Sequence, residues 1–521
     1  MEKTKFNLKL LVWCLIVFIL ALLIRVHFIS YKQGFHVDEM LSINIANINE
    51  YGWVKPIPKN KAYTGKQLKQ MVLFDNPTLK DTLDDIKKLH KNNNDPPHTN
   101  LYYTALRAWF NGFDSIDIRT IIWKGLSLNL VFFSLSFLLM YKILRKLFED
   151  NALIPFGLLI AFLNTGSISN TLFLRPYQLQ ETIFLLLTYV TINFYQDIKS
   201  NKFLTAKNFI IAACVLALTL LSGYMSIFFI AFLGIGLIYA SIKEKQQKNI
   251  LFLIIAAILS VGLAWLGYLG YFNGFSSGRS EEALSLFKTS EIISNLKQVF
   301  YSYSTCLLYF IYYIPAIILM LIAYLHRYIR KIDQKATTTT KYIFGSAILW
   351  TLIVMYLVPF KVVRYITPVF PLLAILYPML INGFKKVEKY IYIWLFSIIF
   401  VICAIIPQSF ESIDTRYART NAFWTIGARI ENLYLATLPL QVAVKTTNIP
   451  VVIDYGFFML HLIPLLSDNN VYYFVDSSEF RTTADELYLM LPENKKMNDE
   501  LNIVETINAG WGMRLMRINN K

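Results

Sequence analysis

The chain has 521 residues, of which 55% are hydrophobic and 16% are charged, and its mean hydropathy is +0.46. An ordinary soluble domain carries about 25% charged residues, so this composition excludes that class. The formal net charge is +16, but the basic residues stand in short clusters between apolar runs, which favours a membrane protein over a nucleic-acid-binding one.

Apolar runs long enough to cross a bilayer recur along the chain and predict a polytopic α-helical membrane protein. The first run follows three lysines, as in a signal peptide. It is about 20 residues long and lacks a small-x-small cleavage site, so it predicts a retained first helix. Hydropathy indicates about eleven spans, at 7–28, 119–141, 152–171, 178–196, 208–222, 225–242, 249–271, 303–326, 341–360, 365–382 and 390–407.

Lys and Arg cluster in alternate loops, which sets the predicted orientation. The positive-inside rule places these loops and the N-terminus in the cytoplasm. A long first loop (30–116), a loop near 273–302 and the tail from 408 then lie outside, in a multi-pass protein of the plasma or inner membrane. The clusters are Lys142, Arg145 and Lys146; Lys199, Lys202 and Lys207; Lys243, Lys245 and Lys248; Arg327, Arg330, Lys331 and Lys335; and Lys385, Lys386 and Lys389.

The first outer loop contains two stretches with apolar residues at helical spacing. They predict amphipathic helices lying in the membrane interface, where Tyr102 and Tyr103 suit the headgroup zone. The apolar residues are Leu41, Ile45 and Ile48 in one stretch and Leu101, Ala105 and Trp109 in the other.

The last 110 residues or so are less apolar and alternate strand-like with helix-like segments. This alternation predicts a small soluble α/β domain over 408–521, following a transmembrane domain over 1–407. The predicted strands are Pro450–Asp454, Val471–Val475 and Trp511–Ile518, and the predicted helices are Tyr455–Leu466 and Thr483–Leu491.

Asp38 and Glu39 form an acidic pair soon after the first span. A carboxylate at a membrane surface can act as a base on a substrate that arrives from water. Asp is also a favoured helix N-cap, so a capping role for Asp38 stays open. His36 is close enough in sequence to tune or position Asp38.

A second motif is Asp95-Pro96-Pro97-His98, directly before the predicted helix that starts near Leu101. Two prolines fix an extended turn, which would present Asp95 and His98 from a stiff loop. The alternative is a plain helix start with Pro at its first position.

Two Arg-Tyr pairs lie on the same predicted side as the acids: Arg175 with Tyr177, and Arg364 with Tyr365. Guanidinium groups bind phosphate bidentately, so the pairs together can hold a lipid phosphate or pyrophosphate beside a carboxylate. Each pair alone also suits a headgroup anchor.

The sequence gives little support for a metal site, a nucleotide-binding site or a hydrolase site. The acidic residues at 81, 84 and 85 can bind a cation or form a charged helix face with the neighbouring lysines. The four cysteines all lie in apolar stretches and show no metal-ligand spacing. Nucleotide-binding glycine motifs, a nucleophile elbow and a metalloprotease motif are missing from the sequence.

In this order, the motifs resemble those of the glycosyltransferase-C (GT-C) superfamily, in particular its protein O-mannosyltransferase and aminoarabinose-transferase-like branch. The resemblance covers about residues 1–410. It is carried by the acidic pair after span one, by Pro96-Pro97 with Leu101-Tyr102-Tyr103 before span two, by Arg175-x-Tyr177, and by Arg364-Tyr365 followed by Pro368 and Pro371.

The resemblance implies a GT-C-like fold and an inverting transfer, outside the cytoplasm, of a sugar from a polyprenyl-phosphate donor to a glycan, lipid or protein acceptor. Asp38 is then the general base and Glu39 positions the acceptor. No cofactor is required, although a divalent cation stays open. The other implied residues are Arg175, Tyr177, Arg364 and Tyr365 at the donor phosphate, and Asp95, His98 and Tyr102 in positioning the acceptor or the loop.

One position departs from the family pattern. The family often has His before the Pro-Pro pair, where this chain has Asp95. The role of this loop is therefore open between a cation site, an acceptor contact and neither.

Three other functions remain as alternatives: a transporter or flippase of lipid-linked glycans, a polymerase or ligase of surface polysaccharide, and a non-catalytic assembly protein. A transporter is expected to place charges inside its spans and to show repeats. Here the notable charges lie in predicted outer loops and no repeat is visible, which favours the enzyme.

Overall fold

The computed structural model describes residues 7–405, except 33, 60, 74–77, 96–97, 277–280, 283–284, 286–288, 307–312, 334–335 and 359–362, and then 451–454, 460, 463–475, 486–492, 502–510 and 513–519. The helices are α1 Leu8–Tyr31, α2 Val37–Asn47, α3 Gly65–Leu73, α4 Leu79–Asn92, α5 Leu101–Trp109, α6 Ile118–Leu147, α7 Leu153–Leu163, α8 Thr165–Leu172, α9 Tyr177–Lys199, α10 Ala206–Leu220, α11 Ser226–Lys243, α12 Gln247–Gly267, α13 Thr289–Cys306, α14 Ile314–Ile329, α15 Thr338–Leu357, α16 Phe370–Leu373, α17 Leu376–Ile381 and α18 Lys386–Ile405. Short 3₁₀ helices occupy Tyr271–Ser276, Val363–Tyr365 and Thr367–Val369.

The chain is a membrane-embedded helical protein. Among the described residues, six helices are long and apolar enough to cross a bilayer, namely α1, α6, α11, α12, α15 and α18. The bent pair of α7 and α8 makes a seventh if it forms one span. These seven coincide with predicted spans. The count of about eleven is not confirmed, because α10, α14 and the pieces over 367–381 are short and α9 begins with polar residues.

The predicted span 152–171 is broken at Asn164, where α7 and α8 meet at 56°. The Asn164 side chain caps the end of α7 and the start of α8. Its amide nitrogen donates to the carbonyls of Ile160 (3.2 Å) and Ala161 (2.6 Å), and its oxygen accepts from the backbone N–H of Ser167 (2.9 Å). An Asn inside an apolar run therefore acts as a C-cap and an N-cap together, and α8 leads the chain to Arg175.

The basic loops meet one another in space. Lys199, the last residue of α9, pairs with Glu244, directly after α11, at 2.6 Å. Lys389, at the start of α18, pairs with Asp150, before α7, at 2.5 Å. These contacts join loops that the positive-inside rule puts on one side. Which side of the membrane they face stays a prediction.

The two helices predicted in the first long loop are present as α2 and α5. Leu41, Ile45 and Ile48 are buried, and so are Tyr102 and Tyr103. The helix α2 packs against α3, α4 and α5. These side chains therefore contact protein, and whether the two helices also lie in the membrane interface stays a prediction.

The tail contributes to a six-stranded mixed sheet with strand order β1-β3-β2-β4-β6-β5. Its parallel centre, β3-β2-β4, agrees with the predicted α/β character. The edge strand β1 comes from the first long loop and pairs antiparallel with β3. The strands are β1 Lys61–Thr64, β2 Val451–Asp454, β3 Val471–Val475, β4 Glu486–Pro492, β5 Ile503–Gly510 and β6 Met513–Asn519.

Two predictions for the tail need correction. Thr483–Leu491 was predicted as a helix, but Glu486–Pro492 is the strand β4, which is paired along its whole length with β6. Leu and Met favour helices, and cross-strand pairing overrides that propensity here. The strand β5 was not predicted. Most of the predicted helix Tyr455–Leu466 lies outside the described residues, and the domain boundary at 407 stays a prediction.

Candidate active site

Asp38 lies in the first turn of α2, but it is not the cap of this helix. The N-cap is His36, whose Nδ1 accepts from the backbone N–H of Asp38 at 3.1 Å. Glu39 completes a capping box by accepting from the backbone N–H of His36 at 2.7 Å. The alternative of Asp38 as a cap is therefore wrong, and its carboxylate is left to contact other groups.

The Asp38 carboxylate forms an ion pair with Arg364. Asp38 Oδ2 lies 2.8 Å from Arg364 Nη2, and the two side chains are 20% and 19% exposed. His36 Nδ1 is 3.6 Å from the same oxygen and is 25% exposed. Residues more than 300 positions apart thus meet at a partly open site. Residues 361–362, shortly before Arg364, lie outside the described part of the chain.

The charges around Asp38 keep it ionised. Burial by itself would raise the pKa of the Asp38 carboxyl, but the positive charges of Arg175 and Arg364 more than offset it. The resulting pKa lies below the ordinary value. Asp38 is therefore a carboxylate, and hence able to accept a proton, throughout the neutral pH range.

Arg175 is almost completely buried and joins three segments of the site. Its Nη2 lies 2.9 Å from Asp95 Oδ2. Its Nη1 donates to the Asp38 carbonyl (3.3 Å), to Ser42 Oγ (3.2 Å) and to the Tyr103 hydroxyl (3.1 Å). Most of the donors of this guanidinium are thus occupied by protein, whereas the Arg364 guanidinium is partly exposed.

Glu39 is placed differently from Asp38. It is fully buried, with its Oε2 2.9 Å from Lys32 Nζ, and both side chains are 0% exposed. Its Oε1 accepts from the backbone N–H of Leu174 at 2.8 Å. Burial raises the pKa of the Glu39 carboxyl, and Lys32 offsets part of this effect. The predicted acceptor-positioning role stays a prediction, and in this conformation protein donors occupy the carboxylate.

The loop that carries Asp95 and His98 lies against the same cluster. Asp95 accepts from the Tyr103 hydroxyl as well as from Arg175. His98 is buried with its ring edge-on to Tyr177 at 5.7 Å, and among the described residues its Nδ1 has no hydrogen-bond partner. Burial, together with Arg175, holds the pKa of His98 well below its ordinary value, so the imidazole is neutral. Pro96 and Pro97 lie outside the described residues.

Aromatic rings surround the guanidinium of Arg364. Its Cζ lies 5.5 Å from the Phe173 ring centre and 5.8 Å from that of Tyr365. Tyr177 stacks on Phe173 at 6.1 Å and meets Tyr365 edge-on at 6.2 Å. Tyr102 is not part of this group, because its hydroxyl donates to Asn129 on α6 at 3.2 Å. Its neighbour Tyr103 is the tyrosine that reaches the charged cluster.

The acidic stretch over 81–85 forms a charged helix face on α4. Asp85 is buried against Arg107 at 2.8 Å, and Asp84 pairs with Lys87 at 3.2 Å. In the parts of the chain that the structure describes, no group of three or more His, Cys, Asp or Glu side chains could hold a metal ion.

Sequence reasoning missed Lys32, Phe173 and the buried charges Arg25 and Glu181. Arg25 and Glu181 lie inside apolar segments and are 0% exposed. A lone charge in an apolar segment is a signal in itself, and it was available in the sequence. Lys32 and Phe173 gave no such signal, because their importance arises from tertiary contacts.

Comparison with protein-family models, with curated proteins and with solved structures finds no match for this chain.

Proposed function

We propose that this protein is an integral membrane glycosyltransferase of the GT-C type, in which Asp38 is the general base. The supporting observation is a partly exposed, ionised carboxylate 2.8 Å from a partly exposed arginine, Arg364, at one end of an apolar helix bundle. This pairs a proton acceptor with a guanidinium group, which is suited to binding phosphate, at a partly exposed site.

The proposed reaction moves a sugar from a polyprenyl phosphate to an acceptor hydroxyl. The hydroxyl oxygen attacks the anomeric carbon while the bond between that carbon and the phosphate oxygen breaks. The phosphate oxygen keeps the bonding electron pair and leaves as polyprenyl phosphate. The hydroxyl proton passes to the Asp38 carboxylate. Attack opposite the leaving group inverts the anomeric centre.

Arg364 is the proposed ligand of the donor phosphate, because its guanidinium is partly exposed. When phosphate takes up that positive charge, the Asp38 carboxylate loses its ion-pair partner and becomes a better base. Arg175 has a supporting role here, since its bonds to Asp95, Ser42 and Tyr103 fix the position of the α2 N-terminus. Guanidinium charge then stabilises the departing phosphate.

One observation favours the transporter alternative: the charged side chains Arg25 and Glu181 are buried among the helices. Their polar atoms are occupied by protein partners. Arg25 donates to Thr171, Ser167 and backbone carbonyls, and Glu181 accepts from Asn170 and Gln178. Groups saturated in this way are not free to bind cargo, so the enzyme remains the proposal.

The proposed topology has eleven crossings, with the N-terminus cytoplasmic and the C-terminal sheet extracytoplasmic in the cell membrane. We expect a cysteine at Lys66, which is exposed on α3, to react with a membrane-impermeant maleimide in intact cells. A cysteine at Lys243, at the end of α11, should react only after the cells are opened. Both variants are placed in a background without native cysteines. The reverse labelling pattern would contradict the orientation.

The pH dependence of transfer follows from the two shifted groups. The pKa values of Asp38 and His98 both lie below their ordinary values, which are about 3.9 and 6.5. Neither group should change charge between about pH 6.5 and 8, and protonation of Asp38 stops transfer at lower pH. We therefore expect kcat/KM to be flat over this range. An inflection near neutral pH that persists in His36→Asn would contradict this expectation.

The proposed function is tested by lipid mass spectrometry on cells that lack the protein. A polyprenyl-phosphate sugar is expected to accumulate in the deletion strain and to return to its normal level when the wild-type gene is restored. The mass of the accumulated lipid gives the class of sugar (hexose, pentose or a modified sugar) and the chain length. If no lipid-linked sugar changes between the strains, the proposed function is wrong.

A further inference from the structure

A buried polar network runs through the helices beneath the candidate site. It begins at Arg25 on α1, where Nε donates to Thr171 Oγ1 at 2.9 Å. Thr171 in turn donates to Gln178 Oε1 at 2.7 Å, and Gln178 Nε2 donates to Glu181 Oε1 at 3.0 Å. These side chains are all buried. Polar groups are costly in a membrane, so a connected set of this size calls for a role.

The network continues from Glu181 to the segment that carries Arg364. Asn170 Nδ2 donates to the second carboxylate oxygen of Glu181 at 2.9 Å. The hydroxyl of Thr367 lies 2.5 Å from Asn170 Oδ1 and 2.9 Å from the carbonyl oxygen of Arg364. The proton of this hydroxyl is thus shared between a helix side chain and the arginine backbone. Glu181, Asn170 and Thr367 form a connected path that ends at Arg364.

This path joins the two segments that hold the arginines of the site. Asn170 is on α8, which leads directly to Phe173 and Arg175. Thr367 begins the 3₁₀ helix that follows Arg364. The bond between them therefore fixes the backbone of Arg364 relative to Phe173, over which its guanidinium lies at 5.5 Å. Among the described bonds, none of the three path residues is hydrogen-bonded or ion-paired to the Asp38 side chain.

We propose that Thr367, Asn170 and Glu181 are positioning residues, which hold Arg364 where it meets the donor phosphate. The inference rests on the proposed function. It adds that phosphate binding at the membrane surface depends on a hydroxyl and a carboxylate buried among the helices. A rigid arginine loses less freedom when it binds phosphate, so a loosened one binds more weakly.

The test compares Thr367→Val with Thr367→Ser in the full-length protein in detergent micelles. Valine has a similar shape but no hydroxyl, and serine keeps the hydroxyl. The probe is a short-chain polyprenyl phosphate, with the polyprenol of the same chain as the reference. Thr188→Val is the matched control, because Thr188 is buried on α9 and its hydroxyl has no partner among the described residues.

Thr367→Val is expected to weaken binding of the phosphate about tenfold, as the loss of a buried hydrogen-bonding group implies, and to leave binding of the polyprenol unchanged. Thr367→Ser and Thr188→Val should bind both lipids like the wild type. In a transfer assay, Thr367→Val should raise KM for the donor more than it lowers kcat. A purely structural role would lower the binding of both lipids together.

Glu181→Gln provides a second variant that acts from further along the path. The NH₂ group of the new glutamine would face an N–H donor, either that of Asn170 or that of Gln178, so one hydrogen bond of the path is lost. We therefore expect weaker phosphate binding. This variant keeps the proposal testable if Thr367→Val does not fold. If Thr367→Val or Glu181→Gln folds and binds the phosphate as the wild type does, the positioning role is overturned. If the wild type itself does not prefer the phosphate over the polyprenol, the proposed function is overturned, and this inference with it.

Discussion

Replacing Asp38 by Asn is expected to abolish sugar transfer while leaving donor binding intact. Removal of a general base lowers the rate by about 10²–10⁴-fold. The change also frees Arg364 from its ion pair, so binding of a polyprenyl phosphate should be unchanged or tighter. In cells, the lipid-linked sugar that accumulates in the deletion strain should persist when Asp38→Asn is expressed. Both readouts are measured on the same variant, by lipid mass spectrometry and by lipid binding.

A control separates loss of the base from loss of the fold. The Asp38 and Arg364 side chains are 20% and 19% exposed, so removal of the pair should cost more than the roughly 1 kcal/mol of a surface pair and less than the roughly 3–5 kcal/mol of a fully buried one. Asp84→Asn removes another partly exposed acid of the same loop, one that pairs with Lys87, and should leave transfer unchanged. If Asp38→Asn restores the lipid profile as well as the wild type does, Asp38 is not the base and the transporter alternative gains support.

The helical part of the fold could be predicted because bilayer-crossing segments obey a local rule. A run such as 8–31 must satisfy its backbone hydrogen bonds within itself, and its sequence alone reveals it. The break at Asn164 could not be placed in the same way, since Asn in an apolar run is compatible with a continuous helix. The strand β4 was missed because its pairing with β6 lies beyond any local pattern.

The charged centre of the site was also predictable in part. Asp38 and Arg364 were both singled out, and the structure brings them to 2.8 Å. Arg175 was also expected at a phosphate, and that role stays a prediction; in the structure its guanidinium contacts Asp95, Ser42 and Tyr103. The two arginines differ in burial, since Arg175 is almost completely buried and Arg364 is partly exposed. Burial depends on the whole fold, so the sequence around each arginine does not reveal it.

The adjacent acids Asp38 and Glu39 illustrate the same limit. In the first turn of α2, the Asp38 side chain lies on the partly exposed side, beside Arg364. The adjacent Glu39 side chain is buried in the protein, beside Lys32. Nothing in the dipeptide distinguishes the two. The distinction comes from the N-cap at His36, which fixes where the helix begins and hence which way each side chain points.

Lys32→Met is expected to be the most destabilising single substitution near the site. It would leave the Glu39 carboxylate buried without its partner, at a cost of about 3–5 kcal/mol. This is a large part of the total stability of a typical domain, which is about 5–15 kcal/mol. The measurement is thermal unfolding of the purified protein in detergent. Lys87→Met is the matched control, because Lys87 is 78% exposed in its pair with Asp84 and should change stability by less than about 1 kcal/mol.

The double variant Lys32→Met with Glu39→Gln decides what Glu39 does. Removing both charges abolishes the unpaired buried carboxylate, so the double variant should be more stable than Lys32→Met alone, although one backbone N–H from His36 or Leu174 loses its acceptor. If this variant folds and still transfers sugar, the Glu39 carboxylate serves the capping box and the core, and it does not bind the acceptor. If it folds but transfer is lost while donor binding persists, the predicted acceptor role is supported. Equal stability of Lys32→Met and the wild type would show that Glu39 does not depend on Lys32, because its carboxyl group is then protonated in the folded protein.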